Sequence, residues 1–439
     1  MAVAFSVLVG GCGAPEETLI PVPPAPSPAP SEPAPTLTIV HPFTGDDDAA
    51  MMRAMIAAFG AIHPDVIVRE EGSRDPESLA RSLTSDGTPP DIIVLPHRAP
   101  LRGLAEDGVI RPLDEVIDVG RLEREVVRRS LDIGRLDGAL FAVPVRLSVK
   151  SLVWYQPRVF DAKGFAIPET WADMIALSDR MVAAGLTPWC IGIEAQAATG
   201  WVLTDWVEDI LLRTIGIEDF DRWVAGELAF ASPEVAGALE DHLVPIWTDD
   251  AYVFGGRDRI ATQDVLASAI GFLGDDPECG LHRQSLIVED LIAIEDPDAR
   301  FGVDYDFFLL PPVTPGERPI LGGGDVATLA TDAPSASLFM EFLSTAESGL
   351  AWASLGGMLS PFVPVIDSAV LPDGAVARSA EILAEATAFR FDGSDRMPRE
   401  IGASSEPGSF WSEMTRWVRR ETSLLEALAA IDERYAGLG

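Results

Sequence analysis

The side chains in this sequence that most often do chemistry are few, and their spacing fits no catalytic or metal centre. Five histidines, at positions 41, 63, 97, 242 and 282, show no metal-ligand spacing, and the three cysteines, at 12, 190 and 279, form no close pair for zinc. Gly322-Gly323-Gly324 is not a phosphate loop, because no Lys-Ser/Thr pair follows it. Asp296, Asp298, Asp304 and Asp306 are rich in acid, but the glycine and the closing glutamate of a calcium loop fall at the wrong positions. No Gly-x-Ser-x-Gly elbow occurs. No metal and no cofactor are therefore expected. The chain does hold many groups that hydrogen-bond and stack. Ten tryptophans and nineteen phenylalanines stand against four tyrosines, and carboxylates abound. Such groups suit the binding of a polar guest, and two well-placed carboxylates could also hydrolyse a glycoside.

The 69 acidic and 32 basic residues give a formal net charge of -37, which repels nucleic acid and anionic lipid alike. Only Lys150 and Lys163 are lysines, so nearly all positive charge is guanidinium. At 439 residues the chain exceeds one ordinary hydrophobic core, and two domains are the starting expectation. Cys12 ends an apolar run, Ala2 to Gly11, that is too short to span a bilayer, which needs about 20 residues. With Val9, Gly10 and Gly11 before it, Cys12 resembles the lipidated cysteine of a bacterial lipobox, and residues 1–11 read as a signal peptide. No Lys or Arg precedes the run, a departure from that pattern. Residues 12–36 then form a proline-rich tether, extended at roughly 60 Å by polyproline II geometry. Export makes a Cys190–Cys279 disulfide one reading, and two buried thiols the other.

Regular structure begins with the β-branched run Thr36 to His41 and continues through a turn at Thr44–Asp48. Met52, Met55, Ile56, Phe59 and Ile62 then recur at helical spacing. A second strand at 66–69, a helix over 76–84 and an apolar strand at 91–96 follow. Strands alternating with helices predict a parallel sheet covered on both faces, with ligands outside the carboxyl ends of the strands. That position singles out Thr44, Asp46 and Asp47 after the first strand and Arg98 after the third. Two strand-like runs lie within 136–155. Helix starts are predicted at Thr170 with Asp173, Ser232 with Pro233, Ser344 with Glu347, and Ser423 with Glu426.

Segments spread in order along the chain resemble the extracellular solute-binding proteins of carbohydrate ABC importers, the group holding the maltodextrin- and α-glucoside-binding proteins. They are Leu37-Thr-Ile-Val-His, Pro90-Asp-Ile-Ile-Val-Leu, Leu140-Phe-Ala-Val-Pro-Val, Leu152-Val-Trp-Tyr-Gln-Pro, Pro168-Glu-Thr-Trp, Leu321-Gly-Gly-Gly-Asp, Leu355-Gly-Gly-Met-Leu-Ser-Pro and Phe410-Trp411. The resemblance implies an α/β, two-lobed periplasmic-binding-protein-like fold, each lobe a mainly parallel sheet flanked by helices. It implies chain crossings near Val145–Leu152 and 313–322, lobe 1 from 37–147 plus 318–370, and lobe 2 from 152–313 plus 371–439.

It further implies a monomeric, non-enzymatic receptor outside the cytoplasm, attached to the membrane only by lipid. Such a receptor closes on an α-glucoside or other oligosaccharide and hands it to the permease subunits. Trp201 and Trp411 match the segments where family members place an aromatic platform, whereas Trp171, Trp223 and Trp247 fall in helical patterns that suit a core. Arg146 and Lys150 lie on the implied crossing, and Asp205 is one helical turn beyond Trp201. His282, Arg283 and Gln284 occupy a loop after Cys279. Gly323, Gly324 and Asp325 form a tight loop where a ligand could meet backbone. A lipid-anchored glycoside hydrolase and a sensory module without transport remain the rival readings.

Overall fold

The computed structural model describes residues 34–356, 358–366 and 371–438. The expected signal segment, the expected acylation site at Cys12 and the expected tether through residue 33 lie outside the described residues, as do the side chains of Asp46 and Asp47.

Strand β1 (Thr36–His41) buries Leu37, Ile39 and Val40. Helix α1 (Asp46–Ile62) follows, with Asp48 near the positive end of the helix dipole and Met52, Met55 and Phe59 on the buried stripe. Strand β2 (Ile67–Gly72) is exposed along nearly its whole length, and Asp75 caps α2 (Pro76–Ser85) through the Ser78 N–H. Strand β3 (Ile92–Leu95) is wholly buried. The long strand β4 (Ala142–Val149) runs almost directly into β5 (Leu152–Tyr155). Helices α3 (Trp171–Ala183), α4 (Trp201–Thr214), α5 (Ile217–Val224) and α6 (Pro233–His242) come next. Then follow β6 (His282–Arg283), β7 (Asp306–Leu309), the eleven-residue β8 (Pro319–Leu329), α7 (Ala375–Ala384), β9 (Ala388–Phe391), α8 (Phe410–Val418) and α9 (Leu424–Ala436).

These strands form two main sheets. The larger has the order β9-β8-β3-β1-β2, with β4 also paired to β8. The smaller is β6-β5-β7. The α/β two-lobed class holds, but the expected mainly parallel sheets are replaced by one mixed sheet and one antiparallel sheet. β1 pairs in parallel with β2 and β3, while β8 is antiparallel to β3 and β4, and the smaller sheet is antiparallel throughout. The reason is that β8 arrives from the smaller sheet through the stretch 310–318, not through a helical crossover, and an antiparallel partner needs none.

The chain passes from the larger sheet to the smaller between Val149 and Leu152, returns between Leu309 and Pro319, and leaves again after Phe391. Sequence boundaries put 371–439 wholly in the second lobe. Strand β9, however, is hydrogen-bonded in parallel to β8 within the larger sheet.

Capping boxes start α3 at Thr170 and Asp173, and α9 at Ser423 and Glu426. The start predicted at Ser344 is displaced by one residue. The helix Ala346–Ala353 begins after Thr345, and the Ser344 hydroxyl turns back to the Glu341 carbonyl at 2.7 Å. Cys190 and Cys279 are joined in a disulfide, with Cα atoms 5.5 Å apart. Trp154, Trp171, Trp223 and Trp247 are all buried in the cores.

Candidate ligand site

The site's floor comes from the paired strands β4 and β8. Residues two apart on a strand share a face, so Arg146 and Ser148 lie on one side of β4 opposite Asp325 and Gly323 of β8, and Lys150, just past the end of β4, reaches back over Gly323. Arg146 forms an ion pair with Asp325 and another, at 3.0 Å, with Asp48 of α1. Its guanidinium sits 5.2 Å from the Phe43 ring centroid. Burial opposes the charge on Arg146, but Asp325 and Asp48 outweigh it and hold the guanidinium above its ordinary pKa. Asp325 is raised by burial despite its cationic partner. A bulge between Asp325 and Val326 shifts the strand register here.

Further along the same face, the Lys150 ammonium donates to Asp205 at 3.0 Å and to Asp392. It lies 5.8 Å from the Trp201 ring centroid. Burial works against the Lys150 charge, and the two carboxylates more than reverse it, keeping the amine protonated. Burial pushes Asp205 up to about 7, since the one ammonium is shared with Asp392. Asp392 is held below the usual carboxylate range: burial opposes its charge, but Lys150 and the Ser394 hydroxyl win.

Trp201 is the first residue of α4 and Trp411 the second of α8, both half-buried. The two helix starts touch at Gly200, which has φ 110°. A Cβ there would lie 2.8 Å from the Trp411 carbonyl oxygen, so only glycine lets the segments approach this closely. The Trp411 indole N–H is buried without a hydrogen-bond partner among the described residues. His97, in the loop after β3, lies 3.8 Å from Asp395. Arg98 beside it donates to the Arg135 carbonyl at 2.9 Å, and burial, helped by the nearby Arg396, lowers it to about 10. Thr44 is exposed at the end of β1.

Arg146, Lys150, Trp201, Asp205, Gly323, Asp325 and Trp411 therefore belong to one neighbourhood, with Arg98 and Thr44 on neighbouring loops of the larger sheet. His282, Arg283 and Gln284 lie behind it rather than on its surface, with the Arg283 guanidinium reaching Asp205 at 3.8 Å. They are not a loop but β6 and its exit, only 2%, 1% and 1% exposed. Arg283 is bound to Asp209 at 2.6 Å, the Gln284 carbonyl accepts the Trp154 indole N–H, and the His282 ring bonds the Cys190 carbonyl. Pairing with Val153 and Trp154 draws them inward. Nor are Gly323 and Gly324 in a tight loop: they sit mid-strand in β8. A Cβ on Gly324 would lie 2.2 Å from the Arg146 carbonyl oxygen, so this glycine serves strand packing. The residues missed by sequence reasoning are Phe43, Asp48 and Asp392, with His97 and Asp395 at the edge. Asp48 and His97 fall inside the turns singled out from the strand ends, but nothing local marks Asp392. Among the described residues no three His, Cys, Asp or Glu side chains are grouped to hold a metal ion, and no helix is long and apolar enough to cross a membrane.

A two-lobed α/β body with a polar, tryptophan-flanked floor where its halves join defines a binding protein, and this chain belongs to the bacterial extracellular solute-binding protein family, which it matches over residues 44–349. It is 35% identical over 401 residues to the alpha-glucosides-binding periplasmic protein AglE of Rhizobium meliloti (strain 1021), covering 88% of this chain and 84% of that one. It is 36% identical over 333 residues to the osmoprotective compounds-binding protein GgtB of Synechocystis sp., covering 76% and 77%. Its fold matches the crystal structure of the bacterial solute receptor AcbH with a TM-score of 0.73 at 17% identity, covering 92% of this chain and 99% of that one. The family acts outside the cytoplasm as the solute-binding component of ABC transport.

Proposed function

We propose that this chain is the lipid-anchored, monomeric receptor of an ABC importer for an α-glucoside, which it binds without altering and delivers to the permease. The carrying observation is the pairing of Trp201 and Trp411 at touching helix starts beside the charged floor of Arg146, Asp325, Lys150 and Asp205. Aromatic planes accept the apolar faces of a sugar ring, and ion-paired carboxylates and guanidinium groups bond its hydroxyls in fixed directions. The binding described for AglE supports the substrate class. Each floor carboxylate is ion-paired with Arg146 or Lys150, and Asp205, though raised to about 7, is only 1% exposed, which favours holding a glycoside over hydrolysing it. The first lobe in this reading takes residues 37–147 and 318–391, since β9 belongs to its sheet. The second takes 152–313 and the final helices.

The test is a thermal-shift and calorimetric panel of α-glucosides, among them maltose, trehalose and sucrose. One sugar should raise the melting temperature and be recovered intact, because ligand that binds only the folded state stabilises it by mass action. In the Trp411→Ala variant affinity for that sugar should fall at least about tenfold, the loss of one good stacking contact, with the melting temperature of the ligand-free protein nearly unchanged. Hydrolysed sugar, or a variant that binds like the parent, would sink the reading.

A further inference from the structure

Helix α4 is buried along nearly its whole length, yet it carries four ionisable side chains at 205, 208, 209 and 213, each no more than 2% exposed. Taking ions out of water costs several kcal/mol apiece unless partners make it good, and an apolar helix would fill the same space more cheaply. Each of the four makes its bonds to a segment where the chain passes between the sheets. On the first passage, Lys150 donates to Asp205 at 3.0 Å and the Ser151 hydroxyl donates to Asp209 at 2.8 Å. On the second, Arg213 donates to the Leu310 carbonyl at 3.0 Å and the Pro319 carbonyl at 2.9 Å, one at either end of the passage. On the third, the backbone N–H groups of Gly393 and Ser394 both donate to Glu208.

The passages are also tied to one another. The Lys150 N–H donates to the Leu321 carbonyl at 2.8 Å, the Leu310 N–H to the Ser151 carbonyl at 2.8 Å, and the Asp392 N–H to the Gly322 carbonyl at 2.8 Å. Arg283 braces Asp209 from behind. The backbone groups that a change of lobe angle must re-aim are thus held by the side chains of one helix.

We propose that α4 is the clamp that sets the geometry of all three interlobe passages, with Asp205, Glu208, Asp209 and Arg213 as positioning residues. Trp201, its first residue, ties the ligand platform to that clamp, a link that rests on the proposed sugar site. Rigid linkage matters because a ligand shifts a lobe equilibrium only through contacts that differ between open and closed states.

The experiment compares the full chain with Glu208→Gln, Ser151→Ala and Trp201→Ala. It reads the radius of gyration by small-angle X-ray scattering without sugar and with maltose, the affinity by calorimetry, and the melting temperature. Glu208→Gln keeps the shape but gives one of the two amide donors a clashing N–H, and Ser151→Ala removes a single hydroxyl. Both variants should enlarge the ligand-free radius of gyration and weaken maltose binding about tenfold. Equal radii with only a lowered melting temperature would overturn the clamp, leaving α4 as packing alone. The ligand-free comparison decides this even if maltose does not bind. Trp201→Ala binding maltose as tightly as the parent overturns the platform reading while leaving the clamp to be judged by the other two variants.

Discussion

The ring of His282 is fully buried, and one of its nitrogens bonds the Cys190 carbonyl at 2.9 Å. Burial lowers its pKa to about 4 from 6.5, so the folded protein holds it neutral where the unfolded chain would protonate it. The unfolded state then takes up the extra proton as pH falls from about 6.5 to 4, and that uptake draws the equilibrium away from the fold. Stability is complete above pH 6.5 and lost as the solution acidifies, by about 3 kcal/mol at pH 4 for this group alone. A His282→Gln variant should therefore unfold in urea with a stability that declines less than the parent's over that interval. Parallel pH profiles would show that the ring does not titrate as its burial requires. This residue also shows where reading the sequence stops. Its type suggests a hydrogen-bonding loop, but its two-residue pairing with Val153 and Trp154, far away in the chain, decides its burial. Trp201 and Trp411 were singled out by the resemblance, and the structure places both at helix starts. Glu208 and Asp392 were not legible, because their partners lie 185 and 242 residues away and leave no local pattern.

Among elements, those governed by local chemistry followed the sequence closely. Thr170 with Asp173 and Ser423 with Glu426 close capping boxes where the spacing demands them. The first strand, helix, strand, helix and strand occur in the expected order. Direction within the sheets was not legible, because an apolar run of four residues such as Ile92–Leu95 suits a parallel or an antiparallel neighbour equally. The disulfide lay between these cases. Export allowed it, but only the fold, by setting Cys190 beside Leu281 through a 3.0 Å hydrogen bond, brings the two cysteines together across 89 residues. Closing a loop of that length restricts the unfolded chain by about 4 kcal/mol, or about 5 °C for a domain of this size. Adding a thiol reductant should lower the melting temperature by that order and leave sugar affinity unchanged, since neither cysteine belongs to the ligand site. Loss of binding well below the new transition would mean that the bridge holds the site as well as the fold.

For the molecule as a whole, charge and attachment bear on each other. A protein of net charge -37 is repelled by anionic lipid, so its surface gives no electrostatic help in staying at a membrane. If Cys12 is acylated as proposed, the hydrocarbon alone must hold the receptor, with each buried methylene contributing about 0.8 kcal/mol and no basic patch to add to it. Salt tells these forces apart. Screening at high ionic strength weakens surface attraction but leaves hydrocarbon burial intact, and it also relieves the repulsion between the acidic body and the membrane. Membranes from cells producing the full chain should therefore keep the protein through a wash in 1 M salt and release it to detergent. The Cys12→Ser variant should fractionate with soluble protein at every salt concentration, while its affinity for sugar remains that of the parent. Release of the parent by salt, or membrane retention of Cys12→Ser, would show that something other than a lipid on Cys12 attaches the receptor.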